Sequence, residues 1–179
     1  MRGTSTSRLA GVCLLALATA FPAYADDVSL ADLKAATRSL GFLQNPPRGK
    51  ELLIGIVYLP GVPASRALAQ QTADRLRTLP GPNNTLIKPA TISIHDLGAH
   101  GDDLDALYLL PGATGGGITD LARRKHILVM SSDPACMDQH CCMLMVRDTG
   151  RVEIVLDSAL AQSAGVSFSS VFAMMVKHR

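Results

Sequence analysis

The sequence has few aromatic residues: of its 179 residues none is Trp, three are Tyr and four are Phe. A surface that stacks nucleic-acid bases or sugar rings needs more aromatic side chains than this. An excess of one charge is also missing, because 17 Lys and Arg stand against 15 Asp and Glu. Nonspecific binding of nucleic acid needs a strongly basic surface. The composition therefore argues against a nucleic-acid partner and predicts an aliphatic core.

No apolar run near the N-terminus reaches the roughly 20 residues that a membrane-spanning helix needs. The run from Leu9 to Phe21 follows Arg2 and Arg8, and small residues lead on to Ala25. This is the layout of a secretory signal peptide. We expect residues 1–25 to be a signal peptide that is cleaved after Ala25.

The segment 26–179 is predicted to be a single exported domain that resides in the periplasm and does not itself span a membrane. Its length suffices to bury a core without several disulfides. Cys13 lies in the predicted leader, so three cysteines remain in the mature chain.

Apolar runs alternate with helical patterns along the mature chain, which predicts an α/β fold with a small, mostly parallel sheet and helices on both faces. The turn at Asp148–Arg151 adds a C-terminal antiparallel hairpin. The predicted strands are Glu51–Leu59, Thr91–Leu97, Ala106–Leu110, His126–Ser131, Cys142–Arg147 and Val152–Leu156. The predicted helices are Ser29–Leu43, Ala64–Leu79, Ile118–Arg124 and Asp157–Ala164, and Ser169–Lys177 is either a helix or a strand.

The densest group of reactive side chains comprises Cys136, Cys141 and Cys142. In an exported protein such a group predicts a disulfide. Neighbouring residues of a strand point to opposite faces, so only one of Cys141 and Cys142 can reach Cys136, and the other stays free. The short loop that the bond would close suits a redox latch as well as a structural staple.

A soft-metal site is the alternative for this group, with His140, Cys141 and Cys142 as ligands and Cu(I) as the metal. The spacing matches neither a paired CxxC array nor a zinc signature. If the cysteine group binds no metal, we expect the protein to have no cofactor.

A ligand or partner loop is predicted at the carboxyl end of the sheet, where open α/β folds bind ligands. It comprises Tyr58, Leu59, Pro60, Asp133 and Pro134. The five His residues are scattered, and neither a GxSxG elbow nor an HExxH motif is present. The sequence therefore predicts that the protein is not an enzyme.

The second half of the chain resembles the YfiR-like family of periplasmic proteins. Members share, in order, a strand with a following loop, a short strand, a hairpin into a further strand, an Ala-rich helix and a final Ser-containing segment. The matching segments here are Ile127–Asp133, Met143–Val146, Arg151–Asp157, Ala159–Val166 and Ser169–Met175. In this chain, Cys141-Cys142 replaces a glycine pair of the family and Asp157 replaces its usual Asn. The aromatic end of the first helix is reduced to Phe42-Leu43.

The resemblance implies a fold similar to half of a periplasmic binding protein. It also implies a noncatalytic repressor that binds the periplasmic domain of an inner-membrane diguanylate cyclase. In some members, a disulfide ties the loop equivalent to Ala135–Met143, which implies a redox-responsive restraint on cyclic-di-GMP synthesis. The alternative is a periplasmic module that binds a small ligand or copper, and a homodimer is open under either hypothesis.

Overall fold

The computed structural model describes residues 28–47, 49–100, 103–115 and 117–179, so the predicted signal peptide and Cys13 lie outside the described residues. The strands of the described part are β1 (Glu51–Tyr58), β2 (Leu86–Ser93), β3 (Ala106–Leu109), β4 (Leu128–Ser131), β5 (Leu144–Asp148), β6 (Val152–Leu156) and β7 (Lys177–His178). The helices are α1 (Leu30–Ser39), α2 (Pro63–Arg77), α3 (Leu97–His100), α4 (Ile118–Lys125), α5 (Pro134–Asp138), α6 (Ser158–Ser163) and α7 (Ser170–Met175). Short 3-10 helices occupy Leu40–Phe42 and Pro82–Asn84.

All the described strands belong to one sheet, in the order β2-β1-β3-β4-β5-β6-β7. Neighbours from β2 to β5 are parallel, β5 and β6 are antiparallel, and β7 runs parallel to β6. The hairpin between β5 and β6 turns at Gly150, whose φ of +90° favours glycine. The predicted mostly parallel α/β sheet with a C-terminal hairpin is thus confirmed.

The helices lie on both faces of this sheet because the chain reverses direction across it. The connection through α2 leads from β1 to β2 at one edge, whereas the connection through α4 leads from β3 towards the other edge. Right-handed crossovers in opposite directions place their helices on opposite faces. No helix of the described ranges is long and apolar enough to cross a membrane.

Strand β1 lies next to the edge strand β2 and pairs with β2 on one side and β3 on the other. Ile54, Ile56 and Val57 are fully buried there, as expected of a strand covered on both faces. At Gly55 a Cβ atom would lie 2.9 Å from methyl groups of Leu104 and Leu107. A larger residue at this position would therefore require the Leu104 and Leu107 side chains to shift.

The second predicted strand, Thr91–Leu97, was placed too late in the chain. The strand begins at Leu86 and ends at Ser93, while Leu97 starts α3. Lys88-Pro89 resembles a strand breaker, but β2 is an edge strand. Proline is tolerated at an edge because it interrupts no ladder on its open side.

Two further boundaries differ from the predictions. The fourth strand starts at Leu128, because His126 adopts the left-handed conformation and caps α4. The segment Ser169–Lys177 is neither one helix nor one strand: it forms α7 and then leads into the short strand β7. The remaining predicted elements agree with the structure to within a few residues at their ends.

Helix α1 is fixed against the C-terminal hairpin by its first turn. The hydroxyl of Ser29 accepts a hydrogen bond from the Asp32 amide, and the Asp32 carboxylate accepts one from the Ser29 amide. The second Asp32 oxygen accepts a bond from the amide of Asp148 at the end of β5, at 2.6 Å. One buried carboxylate therefore joins the start of α1 to β5.

Candidate functional site

The cysteine group lies where β4 passes through α5 into β5. Cys136 is on α5 and Cys141 precedes β5, with their sulfur atoms at disulfide-bonding distance and their Cα atoms 5.1 Å apart. Cys142 is the free thiol. This agrees with the prediction that only one of the two adjacent cysteines pairs with Cys136. We refer to residues 136–141 as the disulfide loop.

Access to these sulfur atoms is restricted. Cys136 and Cys141 are both buried, and Cys142 is fully buried. Burial, followed by the nearby carboxylates of Asp133 and Asp157, raises the pKa of the Cys142 thiol to about 12. The thiolate is the nucleophile in disulfide exchange, so Cys142 is inert toward the neighbouring bond at neutral pH.

Cys142 is expected to resist alkylation in the folded protein. With a pKa of about 12, only about one thiol in ten thousand is ionised at pH 8. Incubation of the folded Cys13→Ala protein with iodoacetamide at pH 8 should therefore label almost no thiol. Raising the pH from 7 to 9 should leave labelling slow, although an ordinary thiol is mostly ionised at pH 9.

Unfolding without a reductant supplies the control, since one thiol per chain should then react, and three after reduction. Mass spectrometry of digested protein identifies the labelled position. Rapid labelling of Cys142 in the folded state would contradict its burial.

The disulfide loop contacts the start of α6 through a short hydrogen bond between His140 and Asp157. The Nδ1 atom of His140 lies 2.6 Å from a carboxylate oxygen of Asp157, whose side chain is only 3% exposed. The other Asp157 oxygen accepts a hydrogen bond from the Leu160 amide at 2.8 Å and caps α6. The Asn that YfiR-like proteins usually have at this position could cap the helix too, but the Asp157 carboxylate is the stronger hydrogen-bond acceptor for His140.

The loop also contacts the C-terminus of the chain. The Arg179 guanidinium donates hydrogen bonds to the Met137 carbonyl and to the Asp138 carboxylate, each at 2.9 Å. The Arg179 amide donates to the carbonyl of Leu156 at the end of β6. The disulfide loop is therefore connected to α6 by His140 and to the last strand by Arg179.

The predicted ligand or partner loop lies beside the disulfide loop. Asp133 caps α5 through a 2.9 Å bond to the Ala135 amide and accepts a 3.2 Å bond from the Gly112 amide after β3. A Cβ atom on Gly112 would lie 3.3 Å from the side chain of Leu59, so the segments after β1, β3 and β4 meet.

Tyr58 ends β1, Pro60 begins the turn that follows, and Pro134 is the first residue of α5. The sheet order reverses between β1 and β3, which is the usual place for ligands in open α/β sheets. The structure thus brings the predicted residues to one edge, while ligand binding there stays a prediction.

The soft-metal hypothesis gains no support from the described residues. Cys141 is bonded to Cys136 and offers no thiolate, and Cys142 is buried as a neutral thiol. Within the described ranges, no group of three or more His, Cys, Asp or Glu side chains is arranged to hold a metal ion.

Sequence reasoning did not assign a site role to Asp157 or Arg179. The departure from the family Asn was a signal for Asp157, since a buried carboxylate needs a partner. Arg179 gave no signal, because its contacts join positions 41 and 42 residues apart in the chain.

Comparison with known proteins establishes the fold and no more. No family model matches this chain, and no curated protein matches it. It is similar to a solved structure described as a conserved domain protein from Vibrio cholerae O1 biovar El Tor str. N16961, with a TM-score of 0.56 and 13% sequence identity. The similarity covers 83% of this chain and 59% of that one, so this chain matches little more than half the length of its structural relative.

Proposed function

We propose that the protein is a noncatalytic periplasmic regulator that binds and restrains the periplasmic domain of an inner-membrane diguanylate cyclase. The disulfide loop makes this restraint responsive to redox conditions. The partner follows from the resemblance to YfiR-like proteins. The redox response is supported mainly by the connection of the loop to both α6 and the C-terminus.

Reduction of the disulfide would alter the surface of the protein through two contacts, that of His140 with Asp157 and that of Arg179 with Met137. When a dithiol reduces the bond, the six-residue loop loses its closure, and the positions of His140 and Met137 are no longer fixed relative to Cys141. The hydrogen bond between His140 and Asp157 and the bonds from Arg179 then weaken. The elements they hold, α6 and β7, gain freedom, and a partner that recognises their fixed arrangement binds less tightly.

The burial of both bonded cysteines sets the condition for this response. A reductant must attack a sulfur atom, so the loop has to open locally before reaction. The regulator would therefore hold its oxidised state through brief changes of redox conditions and respond to sustained reduction.

The proposed function is tested by cellular cyclic-di-GMP in a deletion strain and its parent. Deletion should raise the cyclic-di-GMP level, and restoration of the wild-type gene should lower it again. An unchanged level after deletion would remove the cyclase from the proposal.

Cysteine variants test the redox part separately. Cys136→Ser/Cys141→Ser should restrain the cyclase less than the wild type at equal protein level, because the loop is open. Cys142→Ser is the matched control, since Cys142 is outside the bond, and it should behave like the wild type. Arg179→Met should weaken restraint while the disulfide stays intact. If the double variant restrains the cyclase fully, the disulfide has no regulatory role.

A further inference from the structure

A groove lies on the surface between α1, β6 and α7. Its volume is about 490 Å³. Its lining is mostly apolar and includes Phe42, Val152, Phe172 and Met175, together with Lys34 and Arg38. Neither the predicted ligand loop nor the cysteine group contributes to it.

The floor of the groove is a stack of aromatic rings. Phe172 lies between Phe42 and Phe168, with ring centroids 5.0 and 4.8 Å away. Phe172 is only 2% exposed. All the phenylalanines of the described residues are thus gathered under this one surface.

Exposed apolar side chains are concentrated around the same groove. Most of the large hydrophobic residues that the described part exposes line the groove or lie on α1, β6 or α7. They are Leu30, Phe42, Val152, Val171, Met174 and Met175. Val171 and Met175 are four residues apart on α7 and share one side of the helix. The apolar surface therefore continues beyond the cavity, further than a small ligand would need. Exposed patches of this kind mark interaction sites, and Met side chains adapt to helical partners.

The charge at the rim restricts the partner. Lys34 and Arg38 are four residues apart on the exposed side of α1 and are the charged residues that line the groove. Neither forms an ion pair with any described residue. If a second copy of the chain docked through the same groove, it would add two more cations and no carboxylate from the lining to pair with them. A complementary partner presents apolar side chains flanked by carboxylates.

We propose that the α1/β6/α7 groove binds an amphipathic helix of a protein partner, with its apolar side on the phenylalanine stack and its Asp or Glu side chains on Lys34 and Arg38. Such a helix places apolar anchors at i, i+3 or i+4 and i+7 along the groove. The inference deepens the proposed function. It rests on that function only in identifying the partner as the cyclase.

Site-specific photo-crosslinking in cells tests the groove with the full chain. Met175→p-benzoylphenylalanine places the probe in the groove, where the native side chain is 63% exposed. Leu86→p-benzoylphenylalanine is the matched control on an exposed apolar residue at the start of the edge strand β2. The probe at position 175 should give a protein adduct that position 86 does not give. Mass spectrometry of the adduct should map the cross-link to an apolar segment that carries Asp or Glu.

Charge reversal tests the carboxylate contacts. Lys34→Glu/Arg38→Glu in the probe strain should reduce the adduct about tenfold, because attraction at the rim becomes repulsion. Arg66→Glu/Arg124→Glu makes the same change in net charge elsewhere and should leave the adduct unchanged. A synthetic copy of the mapped segment should bind the purified full chain, and about tenfold more weakly when Lys34 and Arg38 are reversed.

Several results would overturn the inference: no adduct at position 175, an adduct with a lipid, with a second copy of this chain or with its own residues 1–27, or a mapped segment without carboxylates. The inference and the proposed function can fail separately. An acidic amphipathic segment from a protein other than a cyclase would uphold the groove and refute the cyclase. If the charge-reversed variant still restrained the cyclase, the groove would be refuted and the cyclase upheld as the partner.

Discussion

Replacement of Phe172 by Ala is expected to lower the free energy of unfolding by about 4 kcal/mol. Phe172 is almost fully buried and stacks on both Phe42 and Phe168. Its truncation removes apolar contact area, two ring contacts and the floor of the groove. For a domain of this size, the melting temperature should fall by roughly 8–16 °C, measured by circular dichroism.

Phe42→Ala is the matched control, because Phe42 belongs to the same stack but is 37% exposed. Its truncation should cost about 1–2 kcal/mol, since solvent already contacts part of the ring. Equal losses for the two variants would contradict the central place of Phe172 in the stack.

Reduction of the Cys136–Cys141 bond is expected to lower the free energy of unfolding by about 2 kcal/mol. The bonded residues are only five positions apart, so the closed loop restricts the unfolded chain modestly. The melting temperature of the wild type should be about 4–8 °C lower with a reductant present than without one. Thermal unfolding after full reduction, verified by thiol counting, measures this difference.

Two variants make this measurement specific. Cys136→Ala/Cys141→Ala should melt at the same temperature with and without reductant. Cys142→Ala should keep the full difference between the two conditions, because Cys142 takes no part in the bond. If Cys142→Ala abolished the difference, Cys142 and not Cys141 would be the partner of Cys136.

The elements with strong local patterns were predictable from the sequence. The apolar run predicted the position of β1, and the periodic segment after Ser29 predicted that of α1. The Gly150 hairpin was predicted for the same reason, because turn residues and flanking alternation act within a few positions. Strand β2 was misplaced because only its position at the sheet edge makes Pro89 acceptable.

The candidate site was predictable in part. The count and spacing of the cysteines indicated one bond and one free thiol, but not that Cys141 is the bonded residue, or that all three cysteines are buried. The contacts of His140 with Asp157 and of Arg179 with Met137 join segments that are distant in the chain. No local pattern encodes such pairs, because they depend on how the strands are ordered.

The sequence by itself determined the α/β class, the parallel sheet and the clustering of thiols, because these follow from periodicity, turn residues and chemistry within short segments. The tertiary structure alone decided the strand order, which cysteine is bonded, and which side chains the disulfide loop holds. It also placed the phenylalanines from the 3-10 helix after α1, from the segment before α7 and from α7 itself in one stack beneath an apolar, cation-rimmed groove. The physical reason is that burial and contact between distant segments arise only when the sheet brings them together.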